Sequence, residues 1–172
     1  MLNQLLDRGR AHGRFRLELF EAFYCPDRKR DIIIRPERGP IDVQEFDNLL
    51  TNAGGALMED LLMGAGGTVF SNANSYIGVG DSTTAVSAAH TDLQAATNKL
   101  RVAMDATFPS RSGQQITWRS TYSTSQANWT WNEMAPFNAS SGGTMFARAL
   151  VGSPFTKTSA LSVVASYLWS VS

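Results

Sequence analysis

From Lys99 to Val171 the chain is a succession of short runs in which apolar and polar residues alternate, each closed by a turn signal. The runs cover residues 99–108, 114–122, 128–134, 144–151 and 161–171. A period of two places successive side chains on opposite faces of a strand, so each run can bury one face and solvate the other. Residues 110–113 and 140–143, rich in Ser and Gly, punctuate the series. Several short strands joined in this way predict a mainly β, antiparallel sandwich or jelly-roll-like domain.

Two segments lead into that series. Tyr76-Ile-Gly-Val-Gly reads as a strand whose glycines, Gly78 and Gly80, mark close approach of another backbone or side chain. Residues 82–96 are rich in small side chains and read as loop or one to two helical turns, anchored by Leu93. Upstream, Leu49, Leu50, Ala53, Leu57, Leu61 and Leu62 approach helical spacing. Asn48 or Asn52 is placed to cap that helix and Gly64-Ala-Gly-Gly to end it, while Gly54-Gly55 weakens its middle.

The charge is unevenly distributed. Residues 1–48 hold nine Lys/Arg and nine Asp/Glu, 18 of the 30 charged side chains in the protein. Within them Phe15-Arg-Leu-Glu-Leu-Phe and Asp31-Ile-Ile-Ile-Arg read as the two strands of a hairpin around a polar Asp27-Arg-Lys-Arg connection. A lone hairpin buries too little to stand in water, so it must lie against the main domain or another subunit. The expected organisation is therefore a charged hairpin arm over residues 1–47 and a sandwich with a leading short helix over 48–172. Arg14, Arg16, Arg28, Lys29, Arg30, Arg35 and Arg38 are either solvated charges balanced by nearby acids or a docking surface for an acidic partner.

Composition narrows the function classes. At 43% hydrophobic and 10% aromatic residues the chain can build a core, and its formal net charge of zero gives no global signature of nucleic-acid binding. A single cysteine, Cys25, excludes an internal disulfide and a multi-cysteine zinc site. No apolar run approaches the roughly 18 residues of a membrane-spanning helix. The opening Met-Leu-Asn-Gln-Leu-Leu-Asp-Arg lacks the basic and long apolar regions of a secretory leader, so synthesis in a reducing cytoplasm is expected.

No familiar catalytic pattern stands out in the sequence. Gly78-Val-Gly-Asp-Ser lacks the lysine of a phosphate loop and reads as a tight turn. His12 and His90 stand far apart, with no ligand spacing for a metal, and no serine lies in a Gly-x-Ser-x-Gly elbow. Glu133 is the only acidic residue after Asp105 and has Trp129 and Trp131 beside it. A carboxylate among aromatics suits a general acid, but glycoside chemistry needs a second carboxylate, and none is near in sequence. The structural reading pairs Glu133 with Arg119, Arg148 or a backbone amide. Trp118, Trp129, Trp131, Tyr122 and Phe137 read as core and subunit-contact aromatics, with a sugar-binding platform as the alternative.

Taken in order, Asn48-Leu-Leu-Thr-Asn-Ala-Gly, Asn74-Ser-Tyr-Ile-Gly-Val-Gly-Asp-Ser-Thr-Thr, Leu93-Gln-Ala-Ala, Trp131-Asn-Glu and Thr156-Lys-Thr form a pattern over residues 48–172. It resembles a family of small virion structural proteins of tailed bacteriophages, used as capsid decoration proteins or as collar and tail-fibre adaptors. That family often has Leu or Val where Pro136 stands here, and the pattern leaves the charged first 48 residues uncovered. The resemblance implies a non-enzymatic protein of the virion, without cofactor or metal, and a structural part for Glu133. Its partners would be the major capsid protein or other virion proteins and further copies of itself, a trimer among the arrangements, with no nucleic acid or membrane. Trp129, Trp131 and Phe137 are then expected at subunit contacts. A host-surface carbohydrate-binding module is the reading from a different class.

Overall fold

The computed structural model describes residues 11–171. The elements are β1 (Ala11–Cys25), β2 (Arg30–Ile33), a 3₁₀ turn (Pro36–Arg38), β3 (Asp42–Asp47), β4 (Leu49–Leu50), α1 (Asn52–Met63), β5 (Tyr76–Gly80), β6 (Lys99–Ala103), β7 (Ser110–Ser112), β8 (Gln115–Tyr122), β9 (Thr130–Phe137), β10 (Ala147–Thr156) and β11 (Leu161–Val171). They form two antiparallel sheets. One runs β2-β1-β11-β8-β7, with β3 also paired to β1, and the other runs β4-β10-β9-β5-β6.

The alternating runs do what their period dictates. On β1, Phe15, Leu17 and Leu19 are buried while Arg14, Arg16 and Glu18 face the other way. On β11, Val163, Ala165, Tyr167 and Trp169 turn inward. These side chains meet Trp118 and Tyr122 of β8 and, from the second sheet, Ile77, Val79, Trp131, Ala149 and Val151 in one continuous core. Tyr122 donates its buried hydroxyl to the Ile77 carbonyl at 2.6 Å, a direct bond between the sheets.

The N-terminal hairpin exists, but it is not an arm standing apart from the sandwich. β1 pairs with β11 along eleven consecutive positions, Ala11↔Val171 to Glu21↔Leu161, and with β3 on its other side. Residue 47 therefore divides no separate body from the sandwich. A strand of 15 residues is long enough to supply a core face and still extend past its neighbour. Beyond Glu21 it does extend, and residues 22–33 form the end of the hairpin with β2.

Helix α1 also departs in detail from expectation. Its cap is Thr51, not Asn48 or Asn52, and the Thr51 hydroxyl oxygen accepts from Gly54 N at 2.9 Å. The helix runs unbroken through Gly54-Gly55. Gly54 is there for space, because a Cβ would collide with the Phe146 carbonyl. Gly64, at φ 69°, ends the helix in the left-handed conformation, as expected of that position.

Candidate functional site

Residues 81–98 connect β5 to β6 without a strand or helix of their own. A structureless connection of that length is uncommon in a compact domain and has to be held by something. It lies over the outer face of β9, where Leu93 packs with Ala135, Phe137 and Met145 in a second, smaller apolar cluster. Along β9 the alternation slips against a register shift with β10, so Trp131 and Met134 face the main core while Ala135 and Phe137 face this covering loop.

The loop is fastened by a buried ion pair. Glu133 and Arg148 are both fully buried, and Arg148 Nε donates to Glu133 Oε2 at 2.7 Å. The remaining capacity of both side chains goes to the loop. Gln94 N donates to Oε2 at 2.9 Å and Ala95 N to Oε1 at 2.7 Å. Arg148 donates in turn to the Thr84 carbonyl at 2.8 Å and the Ala85 carbonyl at 3.3 Å, with His90 Nδ1 also 3.3 Å away. Gly80 makes room for this arrangement, since a Cβ there would sit 2.5 Å from Glu133 Oε1. At Gly78 a Cβ would lie 2.9 Å from the Phe137 ring and 3.0 Å from Leu93. Both glycines are thus sites of close approach, as their sequence context suggests.

Between His90 and Gln94 in the same loop, Asp92 bonds Arg101 at 2.8 Å and Lys99 at 3.0 Å. Partial burial alone would raise the Asp92 pKa, but these two cations outweigh it and the carboxyl is held below its ordinary value. Arg101 also lies over the Phe137 ring, 3.4 Å from its centre. Arg119, the other arginine considered for Glu133, instead bonds Asp105 at 2.9 Å.

The aromatic residues sort differently from their subunit-contact assignment. Trp131 and Phe137 are fully buried, so neither can contact another subunit or a sugar from its present position. Trp131 is inside because its ring packs edge-on against Tyr122 and its indole N–H donates to the Ala127 carbonyl at 2.9 Å. Phe137 is inside because the 81–98 loop and Arg101 cover it. Trp129 does not share a strand face with Trp131. It precedes β9, is half-buried and packs on the core edge. Trp118 and Tyr122 are core residues.

The basic residues fall into two groups. Arg14 and Arg16 lie on the outer face of β1, where Glu45 of β3 accepts from them at 3.2 and 3.0 Å and Glu18 accepts from Arg16 at 3.1 Å. Such exposed pairs contribute roughly 0–1 kcal/mol each and leave little free charge for a partner. Arg28, Lys29, Arg30, Arg35 and Arg38 are all exposed around the end of the hairpin, and none forms an ion pair among the described residues. They surround exposed apolar side chains, Phe23, Tyr24, Ile34 and Ile41. Asp31 fixes this end to the sandwich by accepting from Thr124 N at 2.6 Å and from its hydroxyl at 2.7 Å. Arg8 and Arg10, which add to the charge of the first 48 residues, lie outside the described residues.

Among the described residues no group of three or more His, Cys, Asp or Glu side chains is placed to hold a metal ion, and no helix is long and apolar enough to cross a membrane. No protein-family model and no curated protein matches the chain.

Proposed function

We propose that this protein is a non-enzymatic structural component of a tailed-bacteriophage virion, a capsid decoration protein that bridges neighbouring capsid subunits. The ordered motifs of residues 48–172 motivate the reading. The observation that carries it is the end of the β1–β2 hairpin. It combines half-exposed Phe23 and Tyr24 with five basic side chains that form no ion pair among the described residues, and it extends beyond the β1–β11 ladder of the sandwich. Such a mixture of exposed aromatic and arginine residues is what protein–protein contacts favour. The docking element in this reading is the hairpin end alone, because the rest of residues 11–47 belongs to the fold.

Glu133, the one carboxylate with a catalytic alternative, has its oxygens occupied by Arg148 and two loop amides. That arrangement supports a structural part for it, and so a scaffold in preference to a hydrolase. A collar or tail-fibre adaptor would use the same hairpin, and copy number separates the two. Quantitative mass spectrometry of purified particles should give about one copy per capsid subunit, or one third of that if trimers occupy symmetry axes. A ratio of a few per cent would assign the chain to the tail or collar, and absence from particles would overturn the virion reading.

A further inference from the structure

Where β5 begins and β9 ends, the chain encloses a pocket of about 320 Å³. One wall is the segment leading into β5, with Thr68 and Asn74. The other is the turn that follows β9, with Ser140 and Gly143. Tyr76, the first residue of β5, and Asn138, the residue after β9, complete the lining, which contains no charged side chain.

The walls are fixed by groups that belong to the fold. Asn138 is 3% exposed, and its amide ties both walls together. Its Nδ2 donates to the Thr68 carbonyl at 2.8 Å, and its Oδ1 accepts from Thr144 N at 2.6 Å. Arg101, which does not line the pocket, holds the second wall by donating to the Ala139 carbonyl at 2.9 Å and the Gly142 carbonyl at 2.7 Å. Asn72 holds the first wall by donating to the Asp105 and Phe108 carbonyls at 2.9 and 2.6 Å. Gly143 is at φ 64°, and a Cβ there would lie 2.6 Å from the Ala139 Cβ and 2.7 Å from Asn138 Oδ1. Walls set before a ligand arrives lose little freedom when it binds.

The polar groups of the lining, in contrast, are largely unengaged. The side chains of Thr68, Asn74, Tyr76 and Ser140 make no hydrogen bond among the described residues. Three hydroxyls and an amide offer donors and acceptors together, and Asn138 keeps one N–H and one lone pair beyond its two bonds. Tyr76 is half-buried against the cluster of Leu93 and Phe137 and adds an aromatic ring. A phosphate, carboxylate or ammonium group would find no counter-charge in this lining, and a purely apolar ligand would strip water from the polar groups without replacing it. A neutral polyhydroxylated ligand meets donors with acceptors and acceptors with donors, and the C–H face of a sugar ring packs on an aromatic ring. The volume is at the small end for ligand sites, which suits a single ring or the end of a chain. We propose that this pocket binds a neutral sugar, with Tyr76 as the stacking surface and Asn74, Ser140 and Asn138 as hydrogen-bonding partners. The inference concerns the purified chain and stands apart from the virion reading, which copy number tests separately.

The test is an amide NMR titration of the full chain with the methyl glycosides of glucose, galactose, mannose and N-acetylglucosamine. A ligand of about fifteen heavy atoms binds at about the millimolar level, so each is taken to about 50 mM. At least one glycoside should shift the amides of residues 73–76 and 138–143 together, in a saturable way. The charged methyl glucuronide should bind no more tightly than the glucoside. Asn74→Ala removes a side chain with no hydrogen bond among the described residues, so it should fold and melt like the parent while binding at least tenfold more weakly. Tyr76→Leu keeps the apolar packing on Leu93 and removes the ring and hydroxyl, and should weaken binding as much. The proposal is overturned if no glycoside shifts these amides, if the shifts centre elsewhere on the protein, if glucuronide binds more tightly, or if either variant binds as the parent does.

Discussion

The Glu133–Arg148 pair offers the sharpest test of how this fold is held. Glu133→Gln keeps the volume of the side chain and removes its charge. Arg148 then stays fully buried with no counter-charge, since its other partners are the Thr84 and Ala85 carbonyls and the His90 ring. Leaving one member of a buried pair unmatched typically costs about 3–5 kcal/mol. A Gln oxygen can also serve only part of what the carboxylate does for Gln94 N and Ala95 N, and each buried donor left without an acceptor adds about 1–3 kcal/mol. Against a total stability of about 5–15 kcal/mol for a domain, the lower end of this range already takes a large share.

The assay is urea unfolding at pH 7 on the parent, Glu133→Gln, Arg148→Met and the double variant. Each single change should lower stability by about 3 kcal/mol or more, and the double should fall short of the sum by about 2 kcal/mol, because the second change removes a charge the first had orphaned. Hydrogen exchange gives an independent reading. Protection of the Gln94 and Ala95 amides should drop in Glu133→Gln while that of the β1–β11 ladder changes only with global stability. Single costs below about 1 kcal/mol, or a strictly additive double, would refute the claim that this pair fastens the loop.

The structure makes further predictions. Gly55→Ala should stabilise by up to about 1 kcal/mol, because the nearest atom to a Cβ is Leu50 Cδ2 at 3.8 Å, whereas Gly54→Ala should destabilise against the Phe146 carbonyl; thermal melts compare them directly. Gly80→Ala should cost about 1–3 kcal/mol by displacing Glu133, read by urea titration. Burial lowers the Lys157 pKa to about 8, with the Asp31 charge opposing, so from pH 8 towards 10 the unfolded chain binds more protons and stability should rise by about 2 kcal/mol. Above pH 10 the buried Tyr122 and Tyr167 hydroxyls, raised by burial, should reverse the trend, and Lys157→Met should abolish only the rise. Charge reversal at Arg28, Lys29 and Arg30 should leave the melting temperature within a few degrees of the parent, since all three are exposed and form no ion pair among the described residues, while abolishing incorporation into particles if the hairpin end docks there.

The strands were legible because one face of each is buried, and burial of one face is what a period of two records. Phe15-Arg-Leu-Glu-Leu announces a strand as clearly as Leu161-Ser-Val-Val-Ala does, and both exist at those places. What the local pattern omits is the neighbour. Nothing in residues 11–25 states that they pair with residues 161–171 at the other end of the chain, and the density of charge on the outer face of β1 gives it the look of a detached arm. Arg16 pairs along β1 with Glu18, and Arg14 and Arg16 pair across to Glu45, an arrangement visible only once β3 is in register. Removing residues 1–40 would therefore take a central strand from the sheet, and substitution at the hairpin end is the sounder probe of docking.

Glu133 shows the complementary case. A single carboxylate in an otherwise acid-free stretch signals a special environment, and Arg148 was among its foreseeable partners. Its position under an 18-residue loop depends on a slip of alternation in β9, which places Trp131 on one side and Phe137 on the other. Strict alternation would put both on one face with Trp129, and that is how they come to resemble an exposed aromatic platform. The large apolar side chains left exposed include Phe23, Tyr24, Ile34 and Ile41 around the hairpin end and Met58, Leu62 and Met63 on the helix. Interior aromatics instead pack β1, β8 and β11 against the core, with Tyr167 touching both Phe15 and Trp118. That makes the hairpin end, more than the buried tryptophans, the place where substitution tests docking without altering the fold.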